Sequence, residues 1–215
     1  MKKIGIIGSG AVGKALAKGF LKYGYDTTIA SRSEEKRKAL ADEIGGDIKT
    51  ADFSETAKQC DIIVLAVKGT MAKNAVEQCG TGNLTGKIII DTTNPIADAP
   101  PQNGVLKYFT SLDNSLMEDL QKMAPHASFV KSFSCIGSAF MVNPDFSGQK
   151  PSMFICGNSE NAKKEVHNIL DQFGFETEDM GMAEAARAIE PLAMLWCIPG
   201  MREGKWGNAF KLLKK

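Results

Sequence analysis

The most constraining feature of the sequence is a set of three spaced glycines directly after a short apolar run. Residues 4–7 (IGII) have the composition of a buried strand, and Gly8-Ser9-Gly10-Ala11-Val12-Gly13 leads into a segment of helical period. Glycines at this spacing permit, in order, a tight turn, close approach of the backbone to a pyrophosphate, and close packing of helix on strand. The helix N-terminus adds free N–H groups and the positive end of a dipole. The motif therefore predicts a dinucleotide-binding turn.

Short runs rich in Ile and Val alternate with segments of helical period along most of the chain. Such alternation predicts an α/β fold, a Rossmann-type doubly wound and mostly parallel sheet covered by helices on both faces. The expected strands are residues 4–7, 28–30, 62–67, 87–91, 128–134, 152–156 and 176–180. The expected helices are residues 10–21, 33–44, 52–60, 71–79, 116–123, 160–173 and 183–197, with Pro191 either kinking the last one or starting a second.

The composition favours a small molecule as the binding partner of this protein. The chain has 215 residues and a formal net charge of +1, which gives no electrostatic basis for binding nucleic acid or a membrane surface. Its five cysteines are scattered without a Cys-x-x-Cys pair, which indicates a reducing, cytoplasmic compartment. With two histidines, no metal site is expected. No apolar run approaches membrane-spanning length, so we expect a soluble protein.

The end of the second strand bears on which dinucleotide is bound. An acid at this point accepts hydrogen bonds from the adenosine ribose, whereas a basic residue accommodates a 2′-phosphate. The sequence reads Ala30-Ser31-Arg32, with Lys36 four residues further on, and offers no acid. NADP is therefore predicted in preference to NAD. The alternative is an ordinary solvated surface in which Arg32 pairs with Glu35.

The segment 92–115 lacks a clear period and contains Asn94-Pro95, Pro100-Pro101 and Asn103-Gly104. A connection of this length in a compact domain is usually functional or mobile. We expect a lid or pocket rim, with a passive loop as the alternative.

The motifs together resemble the coenzyme F420-dependent NADP oxidoreductases and the related reductase domain of the STEAP ferric reductases. The glycine motif and Ser31-Arg32-Ser33-Glu34-Glu35-Lys36 resemble the two nucleotide motifs of that family. The similarity continues through Asp61-Ile62-Ile63-Val64-Leu65-Ala66-Val67, Asp91-Thr92-Thr93-Asn94-Pro95, Val130-Lys131-Ser132-Phe133 and Arg187-Ala188-Ile189-Glu190-Pro191-Leu192.

The resemblance implies hydride transfer to or from NADP(H), with coenzyme F420 or a flavin as the other reactant, and a homo-oligomer, expected to be a dimer. It implies a Rossmann domain over residues 1–135 and a small part, 136–215, that completes the sheet and closes the substrate pocket. The cofactor-binding residues it implies are Gly8, Ser9, Gly10, Ala11, Val12 and Gly13 at the pyrophosphate, Ser31, Arg32 and Lys36 at the 2′-phosphate, and Ala66, Val67, Lys68 and Asn94 toward the nicotinamide.

The resemblance places the deazaflavin near Ile136 and Gly137. The sequence departs from the family there, because Ser134-Cys135-Ile136-Gly137 replaces an Asn-Thr-x-Pro or His-Thr-x-Pro segment, and the loop containing Pro100-Pro101 is longer. Both departures fall where the acceptor is expected. The sequence therefore defines the cofactor more narrowly than the acceptor.

No catalytic residue is identified from the sequence. Hydride transfer between two flat rings needs apposition and exclusion of water and no ionisable side chain. A second hypothesis, reduction of a small carbonyl or imine, needs a proton donor, for which Lys68 is a candidate. Asp91 is interpreted as structural, and Arg187 and Glu190 are spaced to pair on one helix. A third hypothesis is a non-catalytic NADPH-binding sensor.

Overall fold

The computed structural model describes residues 2–215 as one long succession of strands and helices. The elements in chain order are β1 (Lys3–Ile7), α1 (Ala11–Lys22), β2 (Asp26–Ala30), α2 (Glu34–Ile44), β3 (Lys49–Ala51), α3 (Phe53–Gln59), β4 (Ile62–Leu65), α4 (Gly69–Cys79), β5 (Ile88–Asp91), α5 (Leu116–Met123), β6 (Ser128–Lys131), β7 (Ser152–Ile155), α6 (Glu160–Gln172), β8 (Glu176–Asp179) and α7 (Ala186–Glu203). Short 3₁₀ turns precede β5, follow β6 and lead into α7.

The first six strands form one parallel sheet in the order β3-β2-β1-β4-β5-β6. This is the strand order of the doubly wound dinucleotide-binding fold, and the predicted fold class is confirmed. The order reverses direction between β1 and β4, so a crevice opens beyond the carboxyl ends of these two strands. Ligands of open α/β sheets bind at this switch point.

Both faces of the sheet are covered, which explains why the strands are apolar along their whole length. Ile4 and Ile6 of β1 pack on one face, with Leu16 and Phe20 of α1 and with α6. Ile7, the next residue of opposite orientation, packs on the other face with α3, α4 and α5. The glycine motif therefore follows a strand with no freedom to change register.

The C-terminal part forms a second layer beside the large sheet and does not extend it as a further strand. Strands β7 and β8 pair in parallel as a separate two-stranded sheet. One antiparallel bridge, between Lys131 and Cys156, joins this sheet to the end of β6. The expectation that 136–215 completes the sheet needs this correction, since the chain pairs with β6 at one position, Cys156, directly after the end of β7. The division at residue 135 stays a prediction.

Several expected element ends differ from those observed. Strand β6 stops at Lys131 instead of continuing to residue 134, because Phe133 adopts a left-handed backbone (φ 56°) that a strand cannot accommodate. Strand β4 likewise ends at Leu65. The edge strand β3 was not expected, and α7 runs to Glu203 with both Pro191 and Pro199 inside it. Pro191 therefore does not start a second helix.

Candidate active site

The glycine turn after β1 has the geometry that its spacing predicts. Gly8 has φ 127°, and a Cβ there would lie 2.2 Å from the carbonyl oxygen of Ala66 on the neighbouring strand connection. A Cβ at Gly13 would lie 2.1 Å from the carbonyl oxygen of Gly8, so α1 packs against the turn through bare backbone. A Cβ at Gly10 would meet nothing within 4 Å. Two glycines thus close the turn, and the middle one leaves open space at its tip.

The N-terminus of α1 is unoccupied by protein groups. Gly10 is its N-cap, with no side-chain capping bond and no acid in the first turn. Side chains cap four other helices, namely Ser33 on α2, Asp52 on α3, Ser115 on α5 and Ser159 on α6. The free N–H groups of α1 point toward the crevice with the positive end of the helix dipole. An anion at this position would accept the hydrogen bonds that these N–H groups leave unused.

A cleft of about 370 Å³ runs across the carboxyl ends of β2, β1 and β4. It brings together most of the predicted cofactor residues: Gly8, Ser9, Gly10, Ser31, Arg32, Lys36, Ala66, Val67 and Lys68. Ala11, Val12 and Gly13 form the first turn of α1 behind the glycine turn. Asn94, Ile136 and Gly137 do not line this cleft.

Four residues that sequence reasoning missed also line the cleft: Ala30, Ser33, Phe53 and Met71. Phe53 and Met71 give it apolar walls beside the β2 and β4 ends. Phe53 is the first residue of α3, directly after the unexpected strand β3 and its capping residue Asp52. A helix over residues 52–60 is expected from the sequence, and finding β3 before it would have placed its first residues, including Phe53, at the crevice.

The β2 end of the cleft is positively charged and fixed in place. Arg32 and Lys36 are exposed, and within residues 2–215 neither side chain forms an ion pair, so the alternative pairing of Arg32 with Glu35 is not observed. Glu34 of the same helix instead faces Lys38 at 3.8 Å. Arg37, which sequence reasoning also missed, donates from Nη1 to the carbonyl oxygen of Ser31 at 3.0 Å. The loop that carries Arg32 is thereby held against α2.

The β4 end of the cleft leads to Asn94. Lys68 is the exposed N-cap residue of α4, and Gly69 approaches Asn94 so closely that a Cβ would lie 1.8 Å from its carbonyl oxygen. The Asn94 side chain donates from Nδ2 to the carbonyl oxygen of Ser134 at 2.7 Å. Its Oδ1 and the hydroxyl oxygens of Ser132 and Ser134 are buried without a hydrogen-bond partner. Polar atoms without partners at a strand end are suited to a polar ligand.

A wholly buried ionic cluster lies below this region. Lys131 Nζ is 2.6 Å from Asp91 Oδ2 and 2.9 Å from Glu190 Oε1, and it donates to the carbonyl oxygen of Thr93 at 2.8 Å. Burial opposes the charge on Lys131, but the two carboxylates outweigh it and raise the pKa of the lysine. Asp91 also accepts two bonds from Thr93. These contacts fit the structural role predicted for Asp91.

Glu190 does not pair with Arg187, as its position three residues later suggested. Its carboxylate caps α5 instead, accepting from the backbone N–H groups of Leu116 and Met117 at 3.0 Å each. Arg187 bonds Glu118 of α5, from Nε at 2.9 Å and from Nη2 at 2.6 Å. This arginine holds the pKa of Glu118 down at about 2. Arg187 and Glu190 therefore do not contact each other as an ion pair. Arg187 binds Glu118 of α5, and Glu190 binds Lys131 of β6 and the start of α5.

Ile136 and Gly137, the predicted acceptor contacts, lie under the C-terminal part. Ile136 is buried, and a Cβ at Gly137 would lie 3.0 Å from the ring of Trp196. Trp196 is itself held, since its Nε1 donates to the carbonyl oxygen of Asn208 at 2.7 Å and its ring packs on Trp206 with centroids 5.5 Å apart. An acceptor reaching Gly137 would have to displace this packed indole.

A second cavity, of about 320 Å³, lies between the 92–115 segment and α7. Its lining residues are Tyr108, Thr110, Ser111, Leu112, Asn114, Arg187, Glu190, Pro191 and Met194. The segment is held there by an antiparallel bridge between Ile96 and Tyr108 and by the Tyr108 hydroxyl, which donates to the carbonyl oxygen of Glu190 at 2.8 Å. The 92–115 segment is therefore the rim of a cavity in this structure.

Other candidate chemistry is weak. Burial raises the pKa of the Cys135 thiol to about 12, so little thiolate is present at neutral pH. Across residues 2–215, no three side chains among His, Cys, Asp and Glu are grouped to hold a metal ion. In the same part of the chain, no helix has the length and apolar character needed to cross a bilayer.

Comparison with known proteins agrees with the geometry of the glycine turn and its cleft. Residues 3–95 match the profile of the family described as NADP oxidoreductase, coenzyme F420-dependent. A crystal structure from Arthrobacter sp. FB24, assigned as an F420-dependent NADP reductase, superposes over 100% of both chains with a TM-score of 0.92 and 27% identity.

Two curated relatives share parts of the chain. Metalloreductase STEAP3 of Rattus norvegicus is 27% identical over 202 residues, 92% of this chain and 38% of that protein. The NADPH-dependent reductive aminase of Aspergillus oryzae is 30% identical over 93 residues, 43% of this chain and 31% of that protein. The chain thus spans well under half the length of these curated relatives.

The fold and the cleft define the class, a Rossmann-type dinucleotide-binding protein. Residues 3–95, less than half of the chain, resemble the coenzyme F420-dependent NADP oxidoreductase family, so the resemblance predicted from the sequence is confirmed, as is the similarity to the STEAP reductases.

Proposed function

We propose that the protein binds NADPH in the cleft between β2 and β4 and transfers hydride to a flat heteroaromatic acceptor, a deazaflavin such as coenzyme F420 or a flavin. The observation that carries the proposal is the pairing of an open glycine turn with a β2 end that has free basic side chains and no acid. In this proposal Arg32, Lys36 and the Ser31 hydroxyl, which line the cleft, bind the 2′-phosphate, and the N–H groups of α1 bind the pyrophosphate.

The nicotinamide would then extend along Ala66, Val67 and Lys68 toward Asn94. The unpartnered Asn94 Oδ1 and the Ser134 hydroxyl offer hydrogen bonds to a carboxamide. When bound, NADPH supplies the hydride. The protein holds the two rings in contact and excludes water, while the reduced acceptor takes a proton from solvent. No side chain is required to titrate during this step.

The test is anaerobic mixing of the purified protein with NADPH and coenzyme F420, followed by the visible absorbance of the deazaflavin. We expect bleaching with NADPH and at least about tenfold slower bleaching with NADH, since Arg32 and Lys36 favour the phosphorylated cofactor. FMN serves as a parallel acceptor. Saturable NADPH binding without reduction of F420 or FMN would reject this function and leave the sensor hypothesis.

A second candidate function is reduction of a small carbonyl or imine, which the 93-residue match to a reductive aminase supports. This reaction needs a proton donor, and exposed Lys68 at the mouth of α4 is one candidate. It predicts turnover of a cyclic imine such as 1-pyrroline that falls as pH rises, and loss of that turnover in Lys68→Met. Hydride transfer to F420 would show no comparable dependence on Lys68.

We also propose that the protein acts as a cytoplasmic homodimer. Exposed apolar side chains on α7 and the cavity rim support an interface between copies, namely Leu195 (55% exposed), Met201 (42%), Phe109 (45%) and Leu112 (80%). Multi-angle light scattering would give twice the chain mass. Leu195→Glu would then give the mass of one chain.

A further inference from the structure

We propose that Arg37 is a positioning residue for cofactor selection: it holds the peptide that carries Arg32 and so sets how strongly the protein prefers NADP(H) to NAD(H). This inference rests on the proposed function and adds to it a residue that does not line the cleft. Three observations support it: the hydrogen bond from Arg37 to Ser31, the weak apolar attachment of α2, and the absence of an ion-pair partner for Arg37 among residues 2–215.

Arg37 fixes one peptide unit at the end of β2. Its Nη1 donates to the carbonyl oxygen of Ser31 at 3.0 Å, and the N–H of Ser31 donates to the carbonyl oxygen of Ala51 in β3 at 3.1 Å. Ser31 is 5% exposed, and a hydrogen bond is stronger in such surroundings than in water. The carbonyl group of Ser31 and the N–H group of Arg32 belong to the same planar peptide. Arg37 therefore fixes the plane from which the Arg32 side chain starts.

The start of α2 brings Arg37 to this position. Ser33 caps the helix by accepting from the N–H of Lys36, and the N–H of Arg37 donates to the Ser33 carbonyl oxygen at 3.0 Å. Helical side chains point back toward the N-terminus, so Arg37 reaches the loop that precedes its own helix. Lys36, one residue earlier, lines the cleft. The start of α2 thus supplies one cation to the cleft and the next to the backbone of the loop.

The way α2 is attached makes this bond important. Leu40 is the one buried residue of the helix, so apolar packing holds the helix weakly. Its far end is held by the ion pair between Glu43 and Lys14 of α1, at 2.7 Å. The Arg37 bond joins its near end to the loop that lines the cleft. We therefore expect loss of this bond to loosen the loop while the rest of the helix stays in place.

No carboxylate competes for the Arg37 guanidinium within residues 2–215. Lys38, the next residue, pairs with Glu34 at 3.8 Å. Arg32, Lys36 and Arg37 form no ion pair in the described part of the chain. An arginine held by a carboxylate would bring negative charge beside the expected phosphate, whereas one held by a carbonyl oxygen keeps the site electropositive. The loop is thus fixed without weakening its attraction for a 2′-phosphate.

The test compares Arg37→Met with Lys38→Met. Both changes remove one positive charge from α2, and Lys38 lies outside the cleft. Isothermal titration calorimetry gives the dissociation constants of NADP⁺ and NAD⁺, whose ratio isolates the contribution of the 2′-phosphate. We expect Arg37→Met to bind NADP⁺ about 5- to 20-fold more weakly at unchanged NAD⁺ affinity. Lys38→Met should keep the wild-type ratio within about twofold.

A role in loop stability alone predicts a different result. It would lower the thermal midpoint of Arg37→Met and weaken the binding of both cofactors by the same factor, so an unchanged ratio would overturn the inference. Arg37→Gln removes the charge with a milder change of shape, and it gives the same comparison if Arg37→Met does not fold.

A double-mutant cycle tests whether Arg37 acts through Arg32. If Arg37 positions the peptide of Arg32, then Arg37→Met in an Arg32→Ala background should weaken NADP⁺ binding by no more than about twofold. The full loss of about 5- to 20-fold in that background would show that the two residues act independently, and it would overturn the positioning role.

The inference and the proposed function fail in different ways. A wild-type protein that binds NADP⁺ and NAD⁺ equally would reject the cofactor preference on which both rest. A wild-type preference that Arg37→Met leaves unchanged would reject the inference alone. A preference that Arg37→Met lowers, in a protein that reduces neither coenzyme F420 nor FMN, would retain the inference and reject the proposed reaction.

Discussion

We expect Arg32 to set the cofactor preference, because it is a basic side chain two residues beyond the end of β2, it lines the cleft, and it has no ion-pair partner among residues 2–215. Arg32→Ala removes charge-assisted hydrogen bonds worth about 1.5 to 3 kcal/mol from a bound 2′-phosphate. We expect NADPH to bind about 10- to 100-fold more weakly and NADH affinity to stay unchanged. The control is Lys38→Ala, since Lys38 pairs with Glu34 and lies outside the cleft. Calorimetric titration of both cofactors checks this, and an equal loss for NADH would contradict it.

Gly10 and Gly13 separate binding from folding within one motif. Gly10→Ala places a methyl group in open space at the turn, so the free energy of unfolding should change by no more than about 1 kcal/mol. The same methyl group would occupy the space of the pyrophosphate, so NADPH affinity should fall at least about tenfold. Gly13→Ala drives Cβ into the Gly8 carbonyl and should lower the thermal midpoint by more than 5 °C, on the order of 2 kcal/mol or more. Differential scanning fluorimetry with and without NADPH distinguishes the two. A stable Gly13→Ala protein would show that α1 can shift off the turn.

At the scale of elements, the sequence predicts what period and turn chemistry encode locally. The helix at 116–123 has the bounds expected, because Ser115 and Glu118 form a capping box at its start. Strand β3 could not be predicted, because it has three residues and only Ala51 among them is buried. Three residues are too few to show the alternation of buried and exposed side chains that is typical of a strand. The end of β6 could not be predicted either, because the backbone of Phe133 is set by contact with the second sheet. Local signals cannot report such tertiary constraints.

Helices α5 and α7 are joined by the Glu118–Arg187 ion pair, which gives this contact a defined pH dependence. The folded pKa of Glu118 is about 2, below its unfolded value near 4.3. The stabilisation is therefore complete above about pH 5 and is lost as pH falls toward 2. Because solvent screens half-buried Arg187, we expect Glu118→Gln to cost about 1 to 2 kcal/mol at pH 7. Urea unfolding of both proteins from pH 7 to pH 3 should show the gap narrowing, and a constant gap would refute the assignment.

At the scale of the whole molecule, the two cavities differ in how far apart their lining residues lie in the sequence. The cofactor cleft could be predicted because the glycine turn and Arg32 lie within one βαβ unit and carry their chemistry in their spacing. The second cavity could not, since Tyr108 to Asn114 and Arg187 to Met194 are some eighty residues apart and are brought together by the buried cluster of Lys131, Asp91 and Glu190. That cluster therefore ties the nucleotide-binding sheet to the C-terminal helix.

The two buried lysines provide a test of how much this tie contributes. Lys131→Met leaves the carboxylates of Asp91 and Glu190 buried and unpaired, which costs about 3 to 5 kcal/mol. Lys163→Met removes a second lysine with little side-chain exposure (5%), but its partners are 79% and 43% exposed and can return to water, so the expected cost is about 1 kcal/mol or less.

The pH dependence of the Lys131 contribution has a definite sign. The pKa of Lys131 is raised, so its contribution is complete below its ordinary value near 10.4 and is lost only as pH rises through the folded value. The charge on Lys131 is therefore constant at neutral pH. Urea unfolding at pH 7 measures the deficit of each variant, and equal deficits for Lys131→Met and Lys163→Met would show that the cluster does not join the two parts of the molecule.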